Sequence, residues 1–174
     1  MKTALLFSLF LLLLSPDVSA QRKADIGFYA GTSYYMGDIN PYKHFYSPGY
    51  AVGPIYRYNF HARSSVRLAA FYHTLKANDA DFSNPLQSSR DASFSGNYLD
   101  LAAQYEYNYI PYKTAFRRTP YSLYIAAGFG YHLVLSSDVP ANNHFTIPFS
   151  LGFKFNAGKR LSAGVEWSPR KTFS

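Results

Sequence analysis

The 174-residue chain contains no cysteine, which excludes a disulfide framework and an N-terminal lipid anchor carried on a lipobox cysteine, even on an export route that permits disulfides. Charge is scarce. Asp, Glu, Lys and Arg make up 16% of the residues, against roughly 25% in an average soluble domain, so something else must cover much of the surface. Beyond residue 20 no long continuous apolar run remains, which leaves no segment able to cross a membrane as a helix. No Gly-x-Ser-x-Gly elbow, catalytic carboxylate pair or glycine-rich phosphate loop occurs in a suitable setting, and the expectation is a protein without enzymatic activity or cofactor. A membrane-embedded hydrolase would need a poised rim serine. Ser47, Ser83, Ser88 and Ser136 are available, but nothing singles one out.

What the chain does have is alternation. Seven stretches place apolar and polar residues at a period of two, the clearest over residues 97–109. There Leu99, Leu101, Ala103, Tyr105, Tyr107 and Tyr109 share one face, and Asp100, Gln104, Glu106 and Asn108 the other. A period of two is that of a β-strand, whose successive side chains point to opposite faces. Most of the stretches run to about 10–13 residues, near the ~9–11 that cross a bilayer at a tilt. The pattern predicts an all-β chain, an antiparallel up-and-down transmembrane β-barrel. Strands are expected over residues 25–36, 50–60, 64–75, 97–109, 121–133, 144–156 and 161–167. The second and sixth connections, 61–63 and 157–160, read as tight turns. The first, third and fifth, 37–49, 76–96 and 134–143, are longer, and 110–120 is intermediate. Outer-membrane barrels show this asymmetry, with short periplasmic turns and longer external loops.

The first twenty residues read as an export signal. Lys2 is followed by an apolar run from Ala4 to Leu14 and by Val18-Ser19-Ala20, a small-residue cleavage site. The expected domains are a signal peptide at 1–20 and one outer-membrane barrel domain at 21–174.

Alternation alone does not say which face points outward, since a lipocalin-like barrel would enclose its apolar face and a membrane barrel would expose it. Two features favour the membrane. The apolar face is bulky, as at Phe145, Ile147, Phe149, Leu151, Phe153 and Phe155. The opposite face holds Gly31, Gly53, Ala126, Gly128, Gly130 and Gly152, small enough for a narrow lumen. Tyr56, Tyr58, Phe60, Tyr107, Tyr109, Tyr121, Phe155 and Trp167 gather near strand ends, where an aromatic girdle would lie. The polar face then becomes the lumen, and its charges balance: Arg57, Arg67 and Lys154 against Asp100, Glu106 and Glu166. Buried charges persist when paired. A short turn at 61–63 sets Arg57 opposite Arg67, so an acid must intervene, and the expectation is an Arg57–Arg67–Glu106 cluster in the periplasmic half.

The excess of positive charge falls on one rim. The predicted periplasmic edge carries Arg22, Lys23, Arg63, Lys113, Arg117, Arg118, Lys159 and Arg160 against Asp25. The outer loops balance Lys43, Lys76, Arg90, Arg170 and Lys171 against Asp38, Asp79, Asp81, Asp91 and Asp138. A single-sign rim attracts acidic partners, either anionic lipid headgroups of the outer membrane or an acidic periplasmic protein. An exported protein has little occasion to meet nucleic acid, and no small-molecule substrate is indicated. The partner-contact candidates are Arg63, Lys113, Arg117, Arg118, Lys159 and Arg160, with the 110–120 connection foremost because its length would let it protrude. Among the five histidines, His44, His61 and His144 fall in or beside loops, while His73 and His132 sit on the lumen face of different strands. Without ligand spacing they suggest hydrogen-bonding filler and no metal site.

Several segments carry a family resemblance. They are Ser33-Tyr34-Tyr35-Met36-Gly37-Asp38-Ile39-Asn40-Pro41, Tyr56-Arg57-Tyr58-Asn59-Phe60, Asn78-Asp79-Ala80-Asp81, Glu106-Tyr107-Asn108-Tyr109, Thr119-Pro120-Tyr121, and Glu166-Trp167 followed by Arg170-Lys171-Thr172-Phe173. In order and spacing the chain resembles the PorG-like outer-membrane proteins of the type IX secretion system, a family also catalogued as a domain of unknown function. The resemblance implies a Gram-negative outer-membrane barrel that contacts a periplasmic ring, built from a lipoprotein and its partner, and that helps export proteins bearing a C-terminal signal. Single-chain barrels carry an even number of strands. Eight are expected where seven are visible, which reads as a missing C-terminal strand. A stand-alone structural or adhesive barrel that binds ligands through its external loops is the alternative.

Overall fold

The computed structural model describes residues 23–37, 40, 43–79, 93–112, 114, 120–138, 142–158 and 160–173. The described residues form one antiparallel sheet from strands β1 (Ala24–Ser33), β2 (Gly49–Asn59), β3 (Ser64–Asn78), β4 (Ser93–Asn108), β5 (Tyr121–Ser137), β6 (His144–Asn156), β7 (Ser162–Trp167) and β8 (Arg170–Phe173). Each strand from β1 to β7 pairs with the next, up and down, and the sheet curls into a half-barrel. All seven expected strands are present.

The eighth segment does not occupy an eighth position. β8 pairs with β6, on the side where β7 pairs, and both keep one register: Leu151 faces Trp167 and Pro148 faces Arg170. They are one edge strand interrupted at Ser168–Pro169, where Phe149 N still donates to Pro169 O at 3.0 Å. Proline has no N–H to give to a ladder, and an edge tolerates it. The sheet therefore has seven strand positions, and no ladder joins β1 to the β7–β8 edge among the described residues.

The tight turns lie at one end, as expected. Phe60 N and His61 N donate to Ser64 O at 3.0 and 3.1 Å, and Ala157 N and Gly158 N to Leu161 O at 2.9 and 3.1 Å. At the opposite end β3, β4 and β5 run further than their alternation indicated. Lys76, Ala77 and Asn78 pair with Ser95, Phe94 and Ser93, and residues up to Ser137 pair with β4. Hydrogen bonding between neighbours carries these strands past the point where the apolar pattern fades. A register shift beside Asn97/Tyr98 marks a bulge, which adds local twist.

The orientation follows the membrane reading of the pattern. Leu101, Tyr105, Phe149 and Phe153 are exposed on the convex side, and Phe129 reaches 77%. Arg67 is 1% exposed and Glu106 and Asp100 are 0%. The sheet is thus apolar outside and charged inside. Two lumen-side glycines permit close strand approach: a Cβ on Gly53 would lie 1.8 Å from Ala70 O, and one on Gly128 2.0 Å from Ala103 O.

Candidate functional site

Three layers of polar side chains project into the lumen. Nearest the tight turns, Glu106 receives Arg57, whose Nη2 and Nε both lie 3.0 Å from Oε2. Its Oε1 receives Lys154 Nζ at 2.5 Å and Ser65 Oγ at 3.3 Å. Lys154 also sits over the rings of Tyr112 and Tyr124, at 4.8 and 5.0 Å. In the middle layer Arg67 Nη2 donates to Gln104 at 2.5 Å, to Ser150 at 3.0 Å and to Glu166 Oε1 at 3.2 Å. Its Nη1 closes a two-pronged pair with Glu166. Tyr124 donates to that carboxylate at 2.5 Å. Toward the long-loop end, Asp100 meets Arg170 Nε at 3.0 Å and His132 Nδ1 at 3.7 Å.

The expected Arg57–Arg67–Glu106 cluster therefore divides. Arg57 and Arg67 do stand opposite one another, and Glu106 neutralises Arg57. Arg67 turns across the lumen to Glu166 on the edge strand, because Glu106 faces Ser65 while Gln104 faces Arg67. Lys154 takes the second place on Glu106. Arg170, assigned by sequence to an outer loop, instead points inward from β8 against Asp100. The strand beyond Pro169 had too short an apolar pattern to reveal this. With that correction all six anticipated lumen charges, Arg57, Arg67, Asp100, Glu106, Lys154 and Glu166, are paired.

At the tight-turn rim Arg63 and Arg160 are exposed, and Arg63 Nη1 reaches the Tyr107 hydroxyl at 3.4 Å. Lys113, Arg117, Arg118 and Lys159 lie outside the described residues, as do the segment 1–20, Arg22, Ser83 and Ser88. The described start of the 110–120 connection does not protrude. Tyr112 is 4% exposed, its amide donates to Ala62 O at 2.7 Å, and its hydroxyl donates to Asn156 Oδ1 at 2.6 Å. Burial pushes that phenol above its ordinary value. Thr114 and Ser162 share a hydroxyl contact at 3.3 Å, so this connection begins by folding over the lumen mouth.

The long-loop end holds what sequence reasoning did not foresee. A cavity of about 390 Å³ opens there, bounded by Tyr29, Phe71, Tyr98, His73, His132 and Arg170 among others. Asn40, fully buried, braces the loop above it by donating to Tyr35 O at 2.8 Å and Lys43 O at 2.7 Å while its Oδ1 accepts from Lys43 N at 3.0 Å. The lumen parity of His73 and His132 was legible, but not that register brings them together with Asp100.

The model of a family described as a domain of unknown function, DUF6089, matches residues 3–174. The chain belongs to the DUF6089 family. No curated protein and no solved structure matches this DUF6089 chain.

Proposed function

We propose that this DUF6089 chain is a PorG-like outer-membrane barrel protein, a non-enzymatic component of type IX protein secretion that meets a periplasmic ring lipoprotein and its partner through a basic rim. The observation that carries the membrane part is the inverted burial. A convex surface that exposes Ile26, Phe28, Phe129, Phe145 and Val165 is of the kind that water-soluble monomers seldom leave uncovered, and hydrocarbon is the solvent that suits it. The charged filling of the lumen favours a plug over a solute pathway, which leaves surfaces as the working parts.

The rim supports the ring contact. Arg63 and Arg160 are exposed at the tight-turn end, and the chain adds Lys113, Arg117, Arg118 and Lys159 to the same connections. With an N-terminal export signal at 1–20, this end faces the periplasm. Cations on such a rim steer acidic partners into register. The test is charge reversal at Arg117 and Arg118, and separately at Arg63 and Arg160, followed by co-purification of the ring proteins from outer membranes. Loss of the ring with retention of the barrel in the outer-membrane fraction is expected. Undiminished recovery from both variants discards the ring contact, and recovery of the wild-type chain in the soluble fraction discards the membrane reading.

A further inference from the structure

Three neighbouring strands bring His73, Asp100 and His132 onto one patch of the concave face. His73 on β3 pairs with Tyr98 on β4, and two residues further along β4, Asp100 pairs with His132 on β5. Residues directly opposite in an antiparallel pair point to the same side and approach closely. The imidazole centroids of His73 and His132 are 5.2 Å apart, and Tyr98 stacks on both, at 5.7 and 4.7 Å. One ligand atom from each of His73, Asp100 and His132 lies within 4.8 Å of the others. All three residues are more than nine-tenths buried.

His73 is the decisive observation. Neither of its ring nitrogens has a hydrogen-bond partner among the described residues, although both are buried, and the ring borders the cavity at the long-loop end. A buried polar group without a partner costs about 1–3 kcal/mol, so His73 is placed to gain from a ligand entering by the cavity. Among the described residues His73 makes none of the hydrogen bonds expected of a filler histidine.

We propose that His73, His132 and Asp100 form a binding site for one divalent transition-metal ion of the zinc class, entered from the cavity. Two imidazoles and one carboxylate suit zinc and its neighbours, whereas calcium and magnesium take oxygen ligands. Tetrahedral bonds of about 2.0–2.2 Å set ligand atoms roughly 3.4 Å apart. The three ligand atoms, within 4.8 Å of one another, would draw together by roughly 1 Å on binding. Asp100 Oδ2 lies between two neighbours, Arg170 Nε at 3.0 Å and His132 Nδ1 at 3.7 Å, and Oδ1 has no hydrogen-bond partner among the described residues. The arginine then acts as the outer partner that orients a ligating carboxylate. His73 and His132 both border the cavity, so a water molecule completing the set would be reached from that side. This site is independent of the secretion reading.

The test uses the full chain in detergent, purified through a tag without histidine and stripped of metal. Co²⁺ titration followed by visible absorption, then displacement by Zn²⁺, should report one site per chain. H73N and H132N should each weaken Co²⁺ uptake at least about tenfold, whereas H44N and H61N, at exposed histidines, should leave it unchanged. Heat-dependent gel mobility checks that each variant is folded. Should H73N and H132N fail to fold, a Zn²⁺-dependent rise in the unfolding midpoint of the wild-type chain, growing with ion concentration, supports the site. Equal uptake by folded H73N/H132N, or a wild-type midpoint that does not move with Zn²⁺, overturns it.

Discussion

The pair that links the middle of the sheet to its edge gives the most demanding prediction. The Arg67 side chain is fully buried and that of Glu166 is 6% exposed. In Arg67→Met the carboxylate keeps its acceptor contact with Tyr124 but loses the cation paired with it, and Gln104 and Ser150 lose a shared donor. Breaking a buried pair from one side costs about 3–5 kcal/mol, because the remaining charge is left uncompensated. Replacing both members by apolar residues of similar volume is often neutral. Arg67→Met should therefore lose about 3–5 kcal/mol, and Arg67→Met with Glu166→Leu much less than the two single changes added. Equilibrium urea unfolding of the protein folded into lipid vesicles measures this. Trp167, the only tryptophan in the chain, stands beside Glu166 and reports the transition. A single-variant cost below about 1 kcal/mol, or full additivity in the double variant, refutes the claim that these charges are buried and mutually dependent.

Phe129 lies at the middle of β5 and is 77% exposed. In vesicles Phe129→Arg should cost about 2–4 kcal/mol, as a cation at the bilayer midplane does; a change within about 0.5 kcal/mol, the usual value on a watered surface, would refute the lipid contact. Gly53→Ala should prevent barrel folding or slow it severely, since its Cβ would lie 1.8 Å from a backbone oxygen, while Gly27→Ala, with nothing within 4 Å, should fold normally. Gel mobility with and without heating separates the two. Tyr112→Phe removes the donor to Asn156 and should cost about 1 kcal/mol with no loss of strand content by circular dichroism.

Strand identity and facing were legible because a period of two survives any register. His144–Asn156 begins and ends where the alternation does, and the inward set Asp100, Gln104, Glu106 and Asn108 is buried as that pattern requires. The short turn at 61–63 also fixed one register, Arg57 against Arg67. What could not be read was the geometry across the lumen. Arg67 meets Glu166 from four strands away, a contact set by the curl of the whole sheet. The same holds for Arg170 against Asp100, hidden further by Pro169, which ended the visible pattern. The grouping of His73, Asp100 and His132 depends on two registers at once, neither of which is set by a tight turn.

The cross-lumen pairs bear on shape as well as stability. Among the described residues β7 and β8 have a ladder on one side only, to β6, so there the position of this edge relative to β1 is held by side chains. Arg67–Glu166 and Arg170–Asp100 draw the edge inward, and Trp167 Nε1 reaches the Tyr34 hydroxyl at 3.4 Å across the gap. Releasing either pair should let the edge swing while the ladders stay intact. Because the chain has no cysteine, labels can be placed at will: Ala30→Cys on β1 and Ala163→Cys on β7, both exposed, carry spin labels on the two edges. In vesicles, Glu166→Gln and Asp100→Asn should each broaden the inter-label distance distribution toward longer values, and together more than either alone. A second pair of labels at Leu101→Cys and Phe149→Cys, within the laddered sheet, should not change. If the edge labels keep their wild-type distribution in the double variant, the buried charges fill the lumen without fastening it, and curvature belongs to the backbone ladders and their glycines alone.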